Sequence, residues 1–510
     1  MIRYYDPEDT RQADILAVEK YGVPSFDLME NAGNNAAIEV LKRYPDAHNF
    51  LIFAGPGNNG GDGFVAAKFF LNMGLKVTLI LSSDIERYKS DAKANLDILT
   101  KQKNPKCTIK QSKNLSDNEI KEEVSNADCL IDALLGTGSK GAPMGEIERL
   151  IRFCKKDGAV VAFDLPSGID SITGNIFTSC VKADMTVTFL AAKKGMCFSP
   201  AYEMCGTVVI ADIGISPQKV LEDKESIYSI NRDDIPKLLP RLSRNIHKGR
   251  RGGLLIVGGN TNYRGAPLLA GLGALRSGAG LVVIALPDFM VNSASLFLPE
   301  AIFVPLRTIG DDIAPESFAE TIAPWIDRCG AAVVGPGLGR NERAGYITSW
   351  FWKEWKKPLL ADGDALYFLS SQKNIPAFRA DAVITPHSGE AAKLLGITAE
   401  EVNKDRMRSA VSMSRISGTV LLKGMDTVVC SKGKDITIIK EGSPALAIPG
   451  SGDVLSGVIG ALMASGMQIG DAVLAGAAAH GAAGSILEKK LGIRGILARE
   501  IADALPFTLN

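Results

Sequence analysis

The sequence predicts an α/β protein of two domains, each a parallel sheet covered by helices, and three observations carry that expectation. Short β-branched or apolar runs recur, each stopping at a Gly- or Asp-containing loop and followed by a helical pattern. Glycine occurs 52 times, often directly after such a run, as strand-to-helix turns require. The 510 residues exceed what one hydrophobic core ordinarily supports, so the chain divides.

In the first half the expected strands are 50–54, 76–81, 127–132, 159–164, 185–189 and 207–211. Between them, 64–73 and 147–156 read as helices closed by Gly74 and Gly158. Near-continuous apolar strands with helical crossovers imply a parallel sheet. Strand signals lapse between Ile213 and Lys248, a polar stretch with prolines at 217, 236 and 240, which places the expected domains at 1–225 and 226–510. The alternation restarts at 254–257 and continues through 281–285, 331–334, 358–361, 382–384 and 419–422. A helix opens at Ala399 behind Thr398, whose hydroxyl and the Glu401 carboxylate satisfy each other's backbone donors, and Gly418 is expected to close it. A hairpin pairs 427–431 with 436–439 around Lys432-Gly433-Lys434. The Ala/Gly-rich run 472–486, which contains His480, reads as a tightly packed helix and not as a membrane span.

Lysine plus arginine and aspartate plus glutamate each number 57, so no net field draws nucleic acid or an anionic membrane, and a polyanionic ligand must be held locally. Eight cysteines without a Cys-x-x-Cys pair argue against a disulfide framework and a zinc ribbon, and a reducing cytoplasm is expected. The opening Met1-Ile-Arg-Tyr-Tyr-Asp carries charge where a secretory signal needs an apolar core. Trp350, Trp352 and Trp355 on one helix read either as core packing or as an oligomer contact, and a homo-oligomer is expected.

Gly55-Pro-Gly57-Asn58-Asn59-Gly60-Gly61-Asp62-Gly63 follows a strand and opens a helix, where free backbone NH groups and the helix dipole bind phosphate. It contains G-x-G-x-x-G, although the ribose acid expected about twenty residues on is reached only at Asp84. A tight turn without a ligand is the alternative. Two further strand ends carry carboxylates: Asp132 precedes Ala-Leu-Leu-Gly136-Thr137-Gly138, and Asp164 opens Leu-Pro-Ser167-Gly-Ile-Asp170. The carboxyl ends of neighbouring parallel strands converge on one crevice, so Asn59, Asp132, Asp164 and Ser167 are expected to meet there, though each alone serves equally as a loop cap. Their amide, carboxylate and hydroxyl oxygens suit a hard cation, and no histidine or cysteine stands in these loops for zinc.

The Asn-Asn-Gly-Gly-Asp-Gly core and the Asp-Leu-Pro-Ser-Gly-Ile-Asp run resemble the NAD(P)HX epimerase family over nearly the whole first half. The resemblance implies a Rossmann-like three-layer sandwich. In it, Asn58, Asn59, Gly60, Gly61 and Asp62, the loop of Gly136, Thr137, Gly138, Ser139, Lys140, Gly141 and Ala142, and Asp164 would hold the hydrated dinucleotide. Asn59, Asp132 and Ser167 would hold potassium. Asp164 is the expected proton-transfer residue, because a carboxylate at a strand end beside the substrate can be tuned by burial and a cation. The sequence names no partner for it.

In the second half, Gly450-Ser451-Gly452-Asp453 precedes the apolar helical pattern 454–465, which stops at Gly466. Successive NH groups at such a helix start form an anion hole, and the acid beside them is placed to take a proton from a hydroxyl; an aspartate that merely serves the helix dipole is the alternative. Lys423-Gly424-Met425-Asp426-Thr427 ends another strand with a cation, a flexible turn and a hydroxyl. Gly335-Pro-Gly337-Leu-Gly339 and Thr385-Pro-His387-Ser388-Gly-Glu390 also follow strands. Together with Lys248-Gly-Arg-Arg-Gly-Gly, Val257-Gly-Gly-Asn260 and Gly265-Ala266-Pro267, these loops resemble the ribokinase-like superfamily, and within it the ADP- or ATP-dependent NAD(P)HX dehydratases. The resemblance implies a ribokinase-like three-layer sandwich, with Ala266, Gly337, His387 and Asp453 facing the nicotinamide substrate. Lys423, Gly424, Met425, Asp426 and Thr427 and the stretch 443–452, with Gly450, Ser451 and Gly452, would line the nucleotide. Ser388 departs from the family, which commonly has proline there.

The two resemblances together imply a bifunctional repair enzyme for NADHX and NADPHX. Its first half would interconvert the R and S epimers with potassium. Its second half would phosphorylate the ring hydroxyl from ADP or ATP with magnesium, lose phosphate and restore NAD(P)H, leaving AMP or ADP. A fused arrangement favours ADP. Two other readings compete: a ribokinase-like vitamin or sugar kinase that releases a stable phosphorylated product, and a first half that serves only as a partner-binding scaffold, against which Asp164 and Asn59 speak.

Overall fold

Apolar runs flanked by helices bury both faces only within a layered sheet, and the chain builds two of them. The structure, a computed structural model, describes residues 1–154, 158–240, 251–309, 312, 313, 315–371, 378–431, 433 and 435–509. It divides into two compact units, Ile2–Ile227 and Tyr228–Asn510, the latter including Met1.

The N-terminal unit holds seven parallel strands in the order Cys107–Gln111, Lys76–Leu81, Asn49–Ala54, Cys129–Ala133, Ala159–Phe163, Met185–Phe189 and Thr207–Ala211. Strand residues alternate between faces: Phe50 and Ile52 pack with Phe64 and Phe70, while Leu51 and Phe53 pack with Leu150 and Ile151. The winding direction reverses between Asn49–Ala54 and Cys129–Ala133, so a crevice opens at their carboxyl ends.

The C-terminal unit orders Ile302–Leu306, Leu281–Pro287, Gly253–Val257, Ala331–Val334, Leu359–Ala361, Arg379–Ile384 and Ser417–Leu422 in parallel. Thr427–Ser431 and Asp435–Ile439 then add as an antiparallel hairpin, whose Lys432 and Lys434 lie outside the described residues. Here the reversal falls between Gly253–Val257 and Ala331–Val334.

Several expectations are corrected. Gly418 closes no helix: Asp405 ends Ala399–Lys404 and caps Arg406–Met413 by accepting from the Arg408 amide at 3.0 Å. Gly418 instead lies in a central strand, where a Cβ would sit 2.0 Å from the Ala380 carbonyl oxygen. Strand structure does not lapse after Ile213, because Ser226–Ile230 forms a strand that its two serines and polar surroundings hid. The half-exposed edge strand Cys107–Gln111 escaped for the same reason. The expected helix 147–156 is Gly145–Phe153, with Lys155 and Lys156 outside the described residues, as are Lys248, Gly249 and Arg250. Both glycine-rich loops are shorter than expected, since their last residues are already helical in Asn58–Asn72 and Ser451–Ala464.

Trp352 and Trp355 are buried, and partly buried Trp350 stacks edge-on against Phe318, so the tryptophans pack within the C-terminal unit. All eight cysteines are free. Among the described residues no helix is long and apolar enough to cross a membrane.

Candidate active sites

In the N-terminal unit, the glycines permit a close approach of backbones at the crevice. A Cβ on Gly55 would lie 1.8 Å from the Leu134 carbonyl oxygen, and one on Gly60 would lie 1.9 Å from that of Gly55. Asn59 is thereby carried under the next loop, where its Nδ2 donates to the Leu135 and Phe163 carbonyls at 2.9 and 3.1 Å. Its Oδ1 is buried with no hydrogen-bond partner. Asp132 is fully buried and accepts from the Ser167 amide at 2.8 Å, the Ser167 hydroxyl at 2.7 Å and the Leu134 amide at 3.1 Å. Burial pushes its carboxyl up to about 6 against those hydrogen bonds.

Asp164 follows its strand with φ of 61°, a left-handed conformation that turns the side chain back over the crevice. Its Oδ2 accepts from the amide and hydroxyl of Thr137 at 2.8 and 3.0 Å. Its Oδ1 meets the Nζ of Lys193 at 2.6 Å. Burial alone would raise this carboxyl, but Lys193 and Thr137 outweigh it and hold Asp164 below the usual carboxylate range. Asp62, buried one helical turn beyond Asn59, moves oppositely: burial first, then the charges of Asp164 and Asp14, push it well up. A Cβ on Gly136 would stand 2.6 Å from Asp164 Oδ2 and 3.3 Å from Asn59 Cβ, which joins the three loops into one site. Asn59, Asp132, Asp164 and Ser167 therefore converge as expected. Gly138, Ser139, Lys140, Gly141 and Ala142 form an exposed rim, with the Ser139 hydroxyl donating to the Gly136 carbonyl at 2.9 Å.

In the C-terminal unit, Gly450 takes φ of 86° and starts the helix Ser451–Ala464, so that the first NH groups of Ser451, Gly452 and Asp453 have no helical acceptor. Buried His480 anchors this start: its Nε2 lies 3.0 Å from the Ser451 carbonyl oxygen and 3.2 Å from the Ser451 hydroxyl, and burial pushes its imidazole down to about 4. A Cβ on Gly452 would lie 3.4 Å from Lys423 Nζ, which puts a cation beside the helix start. Lys423 is held by Asp362 at 2.8 Å, whose other oxygen accepts from the Ser456 hydroxyl at 2.6 Å, and Glu390 stands 4.0 Å away. Half-buried Asp453 is pushed up to about 7 by burial and Asp362, against the pull of Lys423.

The other expected residues frame this site. A Cβ on Gly337 would lie 3.1 Å from Ala266 Cβ, so those two loops touch. His387 caps the helix Ser388–Leu395 by accepting from the Gly389 amide at 3.0 Å and leaves most of its ring exposed. Ser388, in place of proline, donates to Asn403 at 2.6 Å and accepts from Arg406 at 3.3 Å, which ties the loop by hydrogen bonds. Arg406 also donates to the carbonyls of Leu422 and Lys423 at 2.9 and 3.1 Å, under Gly424. Thr427 closes that turn on the Gly424 carbonyl at 2.8 Å, Lys440 pairs with Asp426 at 2.8 Å, and Met425 is exposed. Among the described residues, no group of three or more His, Cys, Asp or Glu side chains is arranged for a metal.

Sequence reasoning missed Lys193, Asp362, Arg406 and the role of His480. Asp362 carried a signal, an acid directly after a strand. Lys193, in the two-residue strand Ala192–Lys193, carried none.

The NAD(P)H-hydrate dehydratase family matches residues 254–507, and the YjeF-related protein N-terminus family matches residues 25–195. A bifunctional NAD(P)H-hydrate repair enzyme of Thermanaerovibrio acidaminovorans is 37% identical over 99% of this chain and 98% of its own length. Its counterpart in Escherichia coli is 33% identical over 99% of this chain and 93% of its own. A solved ADP/ATP-dependent NAD(P)H-hydrate dehydratase of Bacillus subtilis is 26% identical, covering 55% of this chain and 97% of its own, with a TM-score of 0.47. With relatives of this identity aligned end to end, across both sites, the chain belongs to the bifunctional NAD(P)H-hydrate repair enzyme family.

Proposed function

We propose that the chain repairs hydrated NADH and NADPH, the N-terminal unit interconverting the R and S epimers and the C-terminal unit dehydrating the S epimer at the expense of ADP or ATP. The observation that carries the reading is Asp453, raised to about 7 in the first turn of a helix whose start it shares with Lys423. A base of that kind is half ionised near neutral pH, where proton transfer is most efficient.

Hydroxide is a poor leaving group and phosphate a good one. Asp453 takes the proton of the ring hydroxyl, whose oxygen attacks the terminal phosphoryl group, and the shortened nucleotide leaves. The NH groups of Gly452 and Asp453 and the ammonium of Lys423 receive the charge on the transferring group. Magnesium, carried by the nucleotide phosphates, would neutralise them further. Departure of phosphate with its oxygen and loss of a neighbouring ring proton restore the double bond.

In the N-terminal unit, the hydroxyl-bearing carbon also carries the ring nitrogen, so it inverts when the C–N bond opens as the hydroxyl loses its proton and the nitrogen gains one, and then closes again on the other face with both transfers reversed. The step needs one group that takes a proton and one that gives it. Asp164, held as an anion, is the one that takes. The oxygen donors suit potassium: Asn59 Oδ1 is the open donor, while Asp132 and Ser167 are engaged with each other and would shape its surroundings. The ion would supply positive charge beside the bound dinucleotide.

A kinase with a stable phosphorylated product is disfavoured, because the relatives that match both halves are repair enzymes. The deciding experiment incubates the protein with both NADHX epimers, ADP and magnesium, following NADH absorbance and phosphate release. Recovery of both epimers as NADH with free phosphate is expected, and a phosphorylated product without NADH would overturn the proposal.

A further inference from the structure

The Asp164 carboxylate has an internal counter-ion that no loop motif announces. Lys193 leaves the strand Ala192–Lys193 with a side chain only 3% exposed, and its Nζ engages all three protons. They go to Asp164 Oδ1 at 2.6 Å, the Thr188 hydroxyl at 2.8 Å and the Phe189 carbonyl at 3.1 Å. The ammonium is thus fixed from the sheet side, independently of the loop that carries Asp164. Thr137 fixes the other carboxylate oxygen, so Asp164 is clamped between two segments distant from it in sequence.

We propose that Lys193 is a positioning residue for the epimerisation inferred above, holding Asp164 as an oriented anion that accepts a proton and never begins the cycle as the donor. The inference rests on that reading of the N-terminal unit.

The charged groups around Asp164 support it. Lys193 is the cation that faces it, whereas Asp62, from the helix Asn58–Asn72, and Asp14, from the helix Pro7–Glu19, are carboxylates. Buried Asp62 is raised by its burial and by the charges of Asp164 and Asp14. Asp14, at the exposed mouth, is raised to about 6, and Lys193 pulls both down. Lys193 therefore sits against the carboxylate that is held as an anion, while buried Asp62 is pushed toward its protonated form, which is how a single pocket divides the roles of base and acid. Without the Lys193 ammonium, Thr137 alone is left to oppose the burial of Asp164, and the carboxyl moves toward the protonated form.

The test uses the full-length chain with no ADP or ATP, so that epimers interconvert and are not consumed. Purified R epimer is followed by chromatography from pH 5 to pH 9 for the parental chain and for Lys193→Met, with buffer alone as the baseline. The expected result is an acid limb moved upward by about one to three pH units in Lys193→Met, with most of the rate regained at high pH. A merely structural lysine would lower the rate at every pH without moving the limb, and an unmoved limb overturns the inference. Where Lys193→Met loses its cooperative melt, Thr188→Val gives the same test by freeing the ammonium from one anchor: a limb moved upward supports the inference, and a parental limb overturns it. A parental chain that does no better than buffer would sink the epimerase reading itself, which is a different outcome.

Discussion

Replacing Asp453 by asparagine keeps the size and the place at the helix start but removes the carboxylate that accepts a proton from the substrate. The structure sets the size of the effect. With its carboxyl at about 7, Asp453 is about half ionised at pH 7 and about one-tenth ionised at pH 6, so parental dehydration should fall roughly fivefold between those values. Glu390 is also pushed up to about 7, by burial first, but its charged neighbours are Lys423 and Asp362 and not Asp453. Asp453→Asn should lose about 10²–10⁴ in kcat, or about 2.7–5.4 kcal/mol of barrier, and its residual rate should lack the limb. Glu390→Gln should keep a limb near 7. The assay is NADH recovery from the S epimer with ADP and magnesium between pH 5.5 and 8.5, at saturating nucleotide. An Asp453→Asn chain that retains more than about a tenth of the parental rate, or that keeps the parental limb, would refute the assignment of the base.

Starting from mixed epimers, Asp164→Ala should convert the accepted epimer at the parental initial rate and then stall at the fraction first present in that form, apart from slow spontaneous interconversion; chromatography over minutes distinguishes this from full consumption. Asn59→Ala, which deletes the open buried oxygen, should abolish any potassium dependence of epimerisation, measured by exchanging potassium for lithium without nucleotide. Gly60→Ala should destabilise the N-terminal unit by at least about 1–3 kcal/mol, because its Cβ would meet the Gly55 carbonyl oxygen at 1.9 Å; an unchanged melting temperature would show that the turn relaxes.

Much of this architecture is local and therefore written in the chain. Each buried strand needs a continuous apolar run and each crossover a glycine to turn on, so the strands around Ile52, Leu130, Ile256 and Val333 were legible, as were the loops at their ends. Asn59, Asp132, Asp164, Ser167 and Lys423 were found because each stands in a loop after a strand and carries chemistry there, and Asp453 because its glycine-rich run opens an apolar helix. Edge and boundary strands were not, since Ser226–Ile230 carries two serines and Cys107–Gln111 is only partly buried, so both look polar. The break at Asp405 was missed because one aspartate can end a helix and cap the next. Only the tertiary structure decided what state the site residues are in. A carboxylate's ionisation depends on burial and on charges brought from distant sequence: Lys193 for Asp164, Asp362 and Lys423 for Asp453. Those partners lie 29, 91 and 30 residues away along the chain, beyond any local pattern, and meet their aspartates only because the tertiary fold brings a short strand, strand ends and a helix start together at one place.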